Sequence, residues 1–130
     1  MSFPFTHAEV FGEDPAALAE FYRAVLGWTV TQADGVDYWR IAAAPAGAPS
    51  AFAGGIAHRP DFMPSGWLPY AQIEDIETCV AETTRLGGKI VREPTPVPRT
   101  GWYAVIADPE GNRFAVFQHD PKAMPLPEPD

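Results

Sequence analysis

Two spacings of apolar residues alternate along this chain, and they predict its elements. From Phe5 to Phe11 the alternation has the period of a strand, with Phe5, His7 and Glu9 on one face and Thr6, Ala8 and Val10 on the other. Gly12-Glu13-Asp14-Pro15 then announces a helix, because Asp14 is a good N-cap and Pro15 suits the first helical position. Within it Leu18, Phe21, Tyr22, Val25 and Leu26 form one apolar stripe, and Gly27 is the natural stop. Trp28 to Thr31 and Tyr38 to Ala42 read as strands joined through a turn at Ala33-Asp34-Gly35, and Ala43 to Ser50 reads as a loop. Ala51 to Ala57 reads as a further strand, weakened by Gly54-Gly55. His58 to Gly66 links two halves.

The second half repeats the first. Trp67 to Ile73 is strand-like, and Asp75 caps a helix with Ile76, Cys79, Val80, Thr83 and Leu86 as its apolar side, ended by Gly87-Gly88. Strands follow at Lys89 to Arg92, Trp102 to Ala107 and Arg113 to Gln118, with a proline-rich loop expected over Glu93 to Arg99. Leu26-Gly27 matches Leu86-Gly87 at an offset of 60, Asp14 matches Asp75 at 61, Phe52-Ala53 matches Phe114-Ala115 at 62, and Ile41-Ala42 matches Ile106-Ala107 at 65. Matches in one order at nearly constant spacing indicate a duplicated unit. The expected fold class is α+β, with two tandem βαβββ modules forming a cupped mixed sheet and a helix outside each. Module one covers about residues 5–58 and module two about 67–119. Together they make a single domain over 1–120, followed by a proline-rich tail over 121–130.

Composition narrows the function. At 130 residues the chain has the size of one domain, and 46% hydrophobic with 20% charged residues suits a globular protein. No apolar run approaches the roughly 20 residues that span a bilayer, and MSFPFTHAEV lacks the basic and apolar regions of a secretion signal. Cys79 is the single cysteine, so no intrachain disulfide forms and a reducing cytoplasm is expected. A net charge of −8 without a basic cluster argues against nucleic acid as a partner and permits a cationic ligand. There is no phosphate loop, serine-triad signature or dinucleotide fingerprint. Cys79 falls on the helix stripe and reads as a small core residue.

The segment DPEGNRFAVFQ, Asp108 to Gln118, is a turn feeding a strand, with Pro109, Gly111 and Asn112 supplying the turn geometry. It joins the early His7, the helix end FYRAVLGW (Phe21 to Trp28) and YAQIEDIETCVAETTRLGGKIV (Tyr70 to Val91). Together these resemble the vicinal oxygen chelate superfamily of glyoxalases, bleomycin-resistance proteins and extradiol dioxygenases. The resemblance implies the cupped pair of βαβββ modules, a homodimer and a ligand in the cup. Metal-dependent members place ligands at four strand positions, which fall here on His7, Leu68, Ala53 and Ala115. Leucine and alanine offer no electron pair to a divalent ion, so neither a metal nor another cofactor is expected.

His7 remains a candidate acid, base or ligand-binding group, since imidazole titrates near neutral pH, and Glu9 shares its face. Strand parity adds Phe5, Tyr70, Gln72, Arg113 and Phe117 as pocket residues, apolar walls with a few polar anchors. His58 and His119 are expected to be exposed, and the four tryptophans fit either a cup or a subunit seam. Three readings stay open: a metal-independent small-molecule-binding protein, a glyoxalase-like lyase, isomerase or dioxygenase using His7, and an accessory domain with a vestigial cup.

Overall fold

A computed structural model describes residues 3–42 and 53–124. The expected loop Ala43–Ser50, the start of the following strand at Ala51-Phe52 and the tail beyond Met124 lie outside the described residues. The fold is α+β, with two βαβββ modules in tandem. The first compact unit, Phe5–Pro69, contains β1 (Phe5–Gly12), α1 (Pro15–Leu26), β2 (Thr29–Gln32), β3 (Tyr38–Ala42) and β4 (Ala53–His58). The second contains α2 (Ile76–Arg85), β6 (Lys89–Val97), β7 (Gly101–Ala107) and β8 (Arg113–His119). The division falls inside β5 (Gly66–Ile73), so Tyr70–Ile73 groups with the second unit, as do Phe3 and Pro4.

Both units use one strand order. In the first it is β2-β3-β4-β1, with β1 parallel to β4 and the other pairs antiparallel. In the second it is β6-β7-β8-β5, with β5 parallel to β8 and the other pairs antiparallel.

Each helix starts and stops where local chemistry directs. Asp14 Oδ1 accepts from the Ala17 N–H at 3.1 Å, Pro15 opens α1, and Gly27 ends it in the left-handed region at φ 68°. Asp75 Oδ1 accepts from the N–H groups of Glu77 and Thr78 at 3.1 and 3.2 Å. The helices cover one face of each sheet. Val10, Ala19, Val30, Ile41 and Ile56 form the first core, and Ile73, Ile76, Ala104, Ile106 and Val116 the second.

Two expectations need correction. The apolar stripe of α1 is only partly buried: Leu18 and Tyr22 pack on the core, whereas Phe21, Val25 and Leu26 are 56%, 60% and 51% exposed. The helix faces its sheet through Pro15, Ala19 and Tyr22. Phe21, two residues after Ala19, points about 200° round the axis from it. Leu86, assigned to the α2 stripe, is likewise exposed, because it lies at the C-cap beyond the last helical turn. The second correction concerns Glu93 to Val97, which is not loop but the continuation of β6. Prolines are tolerated there because β6 is the edge strand of its unit, and its register shifts between Arg92 and Thr95, around Pro94.

Candidate functional site

Strand parity divides β1 into two faces with different fates. Val10 belongs to the core under α1, so His7 and Glu9 point to the opposite side. His7 Nε2 lies 3.5 Å from Glu9 Oε1, with the side chains 30% and 18% exposed. Residues two apart on a strand share a face, which is the local reason the pair forms. The distance exceeds that of a good hydrogen bond but lies within ion-pair reach.

The neighbouring strands add groups that parity alone had left unassigned. On β3, Trp39 packs toward the helix-side core, so Tyr38 and Arg40 face the side of His7. Glu9 and Arg40 lie opposite Gly55 from its two flanking strands, forming one cross-strand row. Glycine is required in the middle of that row. A Cβ on Gly55 would collide with the Tyr38 hydroxyl and ring. The same Gly54-Gly55 pair that weakened the strand prediction therefore marks a close approach. Burial pushes the Tyr38 phenol up to about 12, the Glu9 carboxylate adds to that rise, and the Arg40 guanidinium partly offsets it. At neutral pH Tyr38 is thus an uncharged O–H donor.

This face of the first unit carries an imidazole, a half-buried carboxylate, a neutral phenol and an exposed guanidinium. Such a set offers hydrogen-bond donors and acceptors to an oxygen-rich ligand. Ala53 stands directly opposite His7, so the nearest cross-strand position provides space rather than a donor. Phe5 shares the face but is 60% exposed at the strand start.

In the second unit the face away from α2 collects the remaining candidates. Tyr70 pairs with Ala115, and Gln72 with Phe117, which in turn lies opposite Tyr103. Ala115 also faces Val105, and both are buried, while Gln72 and Arg113 are exposed. The register refines the repeat arithmetic. His7 lies opposite Ala53, but Ala115 lies opposite Tyr70, not Leu68. Offsets taken from separate strands kept the correct face and slipped by two residues along it. Tyr38, Arg40 and Tyr103 were missed because their faces follow from the register, and only Gly55 signalled it in advance.

The other candidates have structural places. His58 ends β4, exposed, with Nε2 3.2 Å from Glu13 Oε2, and His119 is the exposed last residue of β8. Cys79 packs against the second core and its thiol is pushed up by burial. Trp39 and Trp102 lie on the helix sides, and Trp102 Nε1 donates to Asp120 Oδ2 at 3.2 Å. Trp28 stacks on Tyr22 with ring centroids 5.4 Å apart, and Trp67 meets the same ring edge-on at 5.6 Å. Among the described residues no group of three or more His, Cys, Asp or Glu side chains is placed to hold a metal, and no helix is long and apolar enough to cross a membrane.

Comparison with known proteins matches this architecture. The sequence profile of the glyoxalase-like domain covers residues 9–117. The Mycobacterium tuberculosis protein CFP32, whose name places it among glyoxylases, is 30% identical over 118 residues, covering 88% of this chain and 43% of that protein. The anthracycline biosynthesis protein DnrV of Streptomyces peucetius is 29% identical over 118 residues, covering 81% of this chain and 43% of its own length. The chain thus spans less than half the length of these relatives. Among solved structures, a Streptomyces coelicolor methylmalonyl-CoA epimerase superposes with a TM-score of 0.65 at 18% identity, over 95% of this chain and all of that one. A glyoxalase/bleomycin resistance protein/dioxygenase superfamily member from Vibrio splendidus 12B01 gives 0.63 at 13% identity, over 92% of this chain and all of that one. By duplicated topology and by sequence, the chain belongs to the glyoxalase-like domain family of the vicinal oxygen chelate superfamily.

Proposed function

We propose that this chain binds a small organic ligand on the His7–Glu9 face, in the sheet cup, without the metal that many glyoxalase-like proteins use. The observation that carries the reading is the donor chemistry around His7. Its cross-strand neighbour is Ala53, and the equivalent pair in the second unit is Ala115 with Tyr70. Neither alanine has a side-chain N, O or S donor, and His7 with Glu9 supplies two donors where divalent sites need more. The residues on this face do not fit the family's metal.

In this reading Arg40 and the Tyr38 hydroxyl anchor ligand oxygens, and His7 completes the polar set. Phe5, on the same strand face, adds apolar wall at its edge. A solved epimerase of this fold was captured with methylmalonyl-CoA, which supports a small-molecule ligand in general terms. A thermal-shift and calorimetric screen against hemithioacetals of methylglyoxal, catechols and cationic antibiotics tests the reading. A binder from that screen should lose about tenfold in affinity in both His7→Ala and Arg40→Ala, the scale of one charge-assisted hydrogen bond. Unchanged affinity in both variants would refute this placement of the ligand.

One observation favours a second reading, an enzyme with His7 as acid or base. Glu9 is half-buried beside the imidazole at 3.5 Å, an arrangement that orients the ring toward a bound ligand. Turnover by the parent chain that His7→Ala abolishes, with ligand affinity retained, would establish it.

A further inference from the structure

The second unit contains a cavity that the His7 face does not use. It measures about 500 Å³ and lies on the helix side of that unit's sheet, next to α2. Phe3, Ile73, Leu86, Ile106 and Phe114 provide apolar wall. Phe3 is brought there by the following residue, since the Pro4 carbonyl accepts from the Gln72 N–H at 3.2 Å. The charged lining is of one sign: Glu74, Asp75, Glu82 and Asp108, with no Lys, Arg or His among the lining residues. Glu82 pairs with the exposed Arg85 at 2.7 Å, a pair screened by solvent. Asp75 accepts from the α2 N–H groups of Glu77 and Thr78, and hydrogen bonds from Asn112 and the turn N–H groups hold the Asp108 carboxyl below its usual range.

We propose that this cavity binds a lipophilic ammonium ion, with its hydrocarbon body against the apolar wall and its charge toward Glu74, Asp75 and Asp108. The volume falls within the range of small-molecule sites, roughly 300–1,000 Å³. Apolar burial supplies affinity, and the one-signed rim rejects anions. The rim also explains why an open apolar cavity tolerates so many carboxylates, since each keeps its access to water.

Cys79 lines the same cavity and is the single cysteine of the chain, so its alkylation reports occupancy directly. The probes are 1-naphthylmethylammonium, the isosteric 1-naphthalenemethanol and 1-naphthoate, and the readout is the rate of Cys79 modification by iodoacetamide in the full chain. At about ten times its dissociation constant the ammonium should slow alkylation about tenfold, as mass action requires. The alcohol should protect several-fold less at equal concentration, and the carboxylate should not protect. Glu74→Gln, at an exposed position, should weaken the ammonium by about threefold and leave the alcohol unchanged. Equal protection by alcohol and ammonium, or no protection by the ammonium, overturns the proposal. Protection that instead rises with protein concentration in the absence of probe would assign the cavity to a second copy and also overturn it.

Discussion

The two modules share an architecture and differ in where they place polarity. In module one the side away from the helix carries His7, Glu9, Tyr38 and Arg40, while the helix side is filled by Ala19, Ile56 and the Tyr22–Trp28–Trp67 cluster. In module two Ala115 and Val105 on the side away from the helix are buried, and the helix side leaves a cavity beside α2. Duplication gives each module the same scaffold, and side-chain choice at equivalent rows then gives the two modules different surfaces. The lesson is that repeat equivalence predicts backbone position well and function poorly.

The largest expected effects test whether both helix-side cores hold the scaffold. Ile56→Ala in module one should cost about 3 kcal/mol, and Val116→Ala in module two about 2 kcal/mol, because both side chains are fully buried and the valine loses less hydrocarbon. Urea unfolding of each variant measures this. Equal losses would mean that the surroundings collapse differently around the two sites. Next in size is Gly55→Ala, which forces Tyr38 off its place and should cost about 1–3 kcal/mol. The corresponding loss of ligand affinity would link that backbone approach to the site.

Helix capping gives a smaller comparison. Asp75→Ala and Asp14→Ala should each cost about 1 kcal/mol in the same urea assay. Asp75 accepts from two N–H groups and Asp14 from one, so the module two helix should suffer more. The least visible effect is confined to high pH. The Tyr38 phenol sits at about 12 when folded and near 10 when unfolded, so the folded state holds its proton more tightly. Its contribution is fully present below about pH 10 and fades as pH rises toward 12. Phenolate absorbance and stability between those limits, compared with Tyr38→Phe, should show this component vanish in the variant.

Much of this could be read from the sequence, for identifiable reasons. Asp14, Pro15, Gly27 and Asp75 fixed the helix ends because capping is a local interaction, and the repeat fixed the order of elements along the chain. The extent of β6 escaped because Pro94 and Pro96 argue against a strand unless it is known to be an edge. Exposure of Phe21 and Val25 escaped because a stripe wider than its contact looks the same in one dimension. Tyr38 and Arg40 required the pairing of β3 with β4, which is non-local. The module two cavity could not be read at all, since it depends on how closely α2 and the strand ends approach.

A ligand site formed by His7 and its neighbours without a metal is open to direct measurement. Native mass spectrometry and metal analysis of the purified chain, followed by calorimetric titration with Ni²⁺, Zn²⁺, Mn²⁺ and Fe²⁺, test it most directly. A metal-free site should show no stoichiometric tight binding and no difference between the parent and His7→Ala. One tightly held equivalent per chain, lost in His7→Ala, would contradict it.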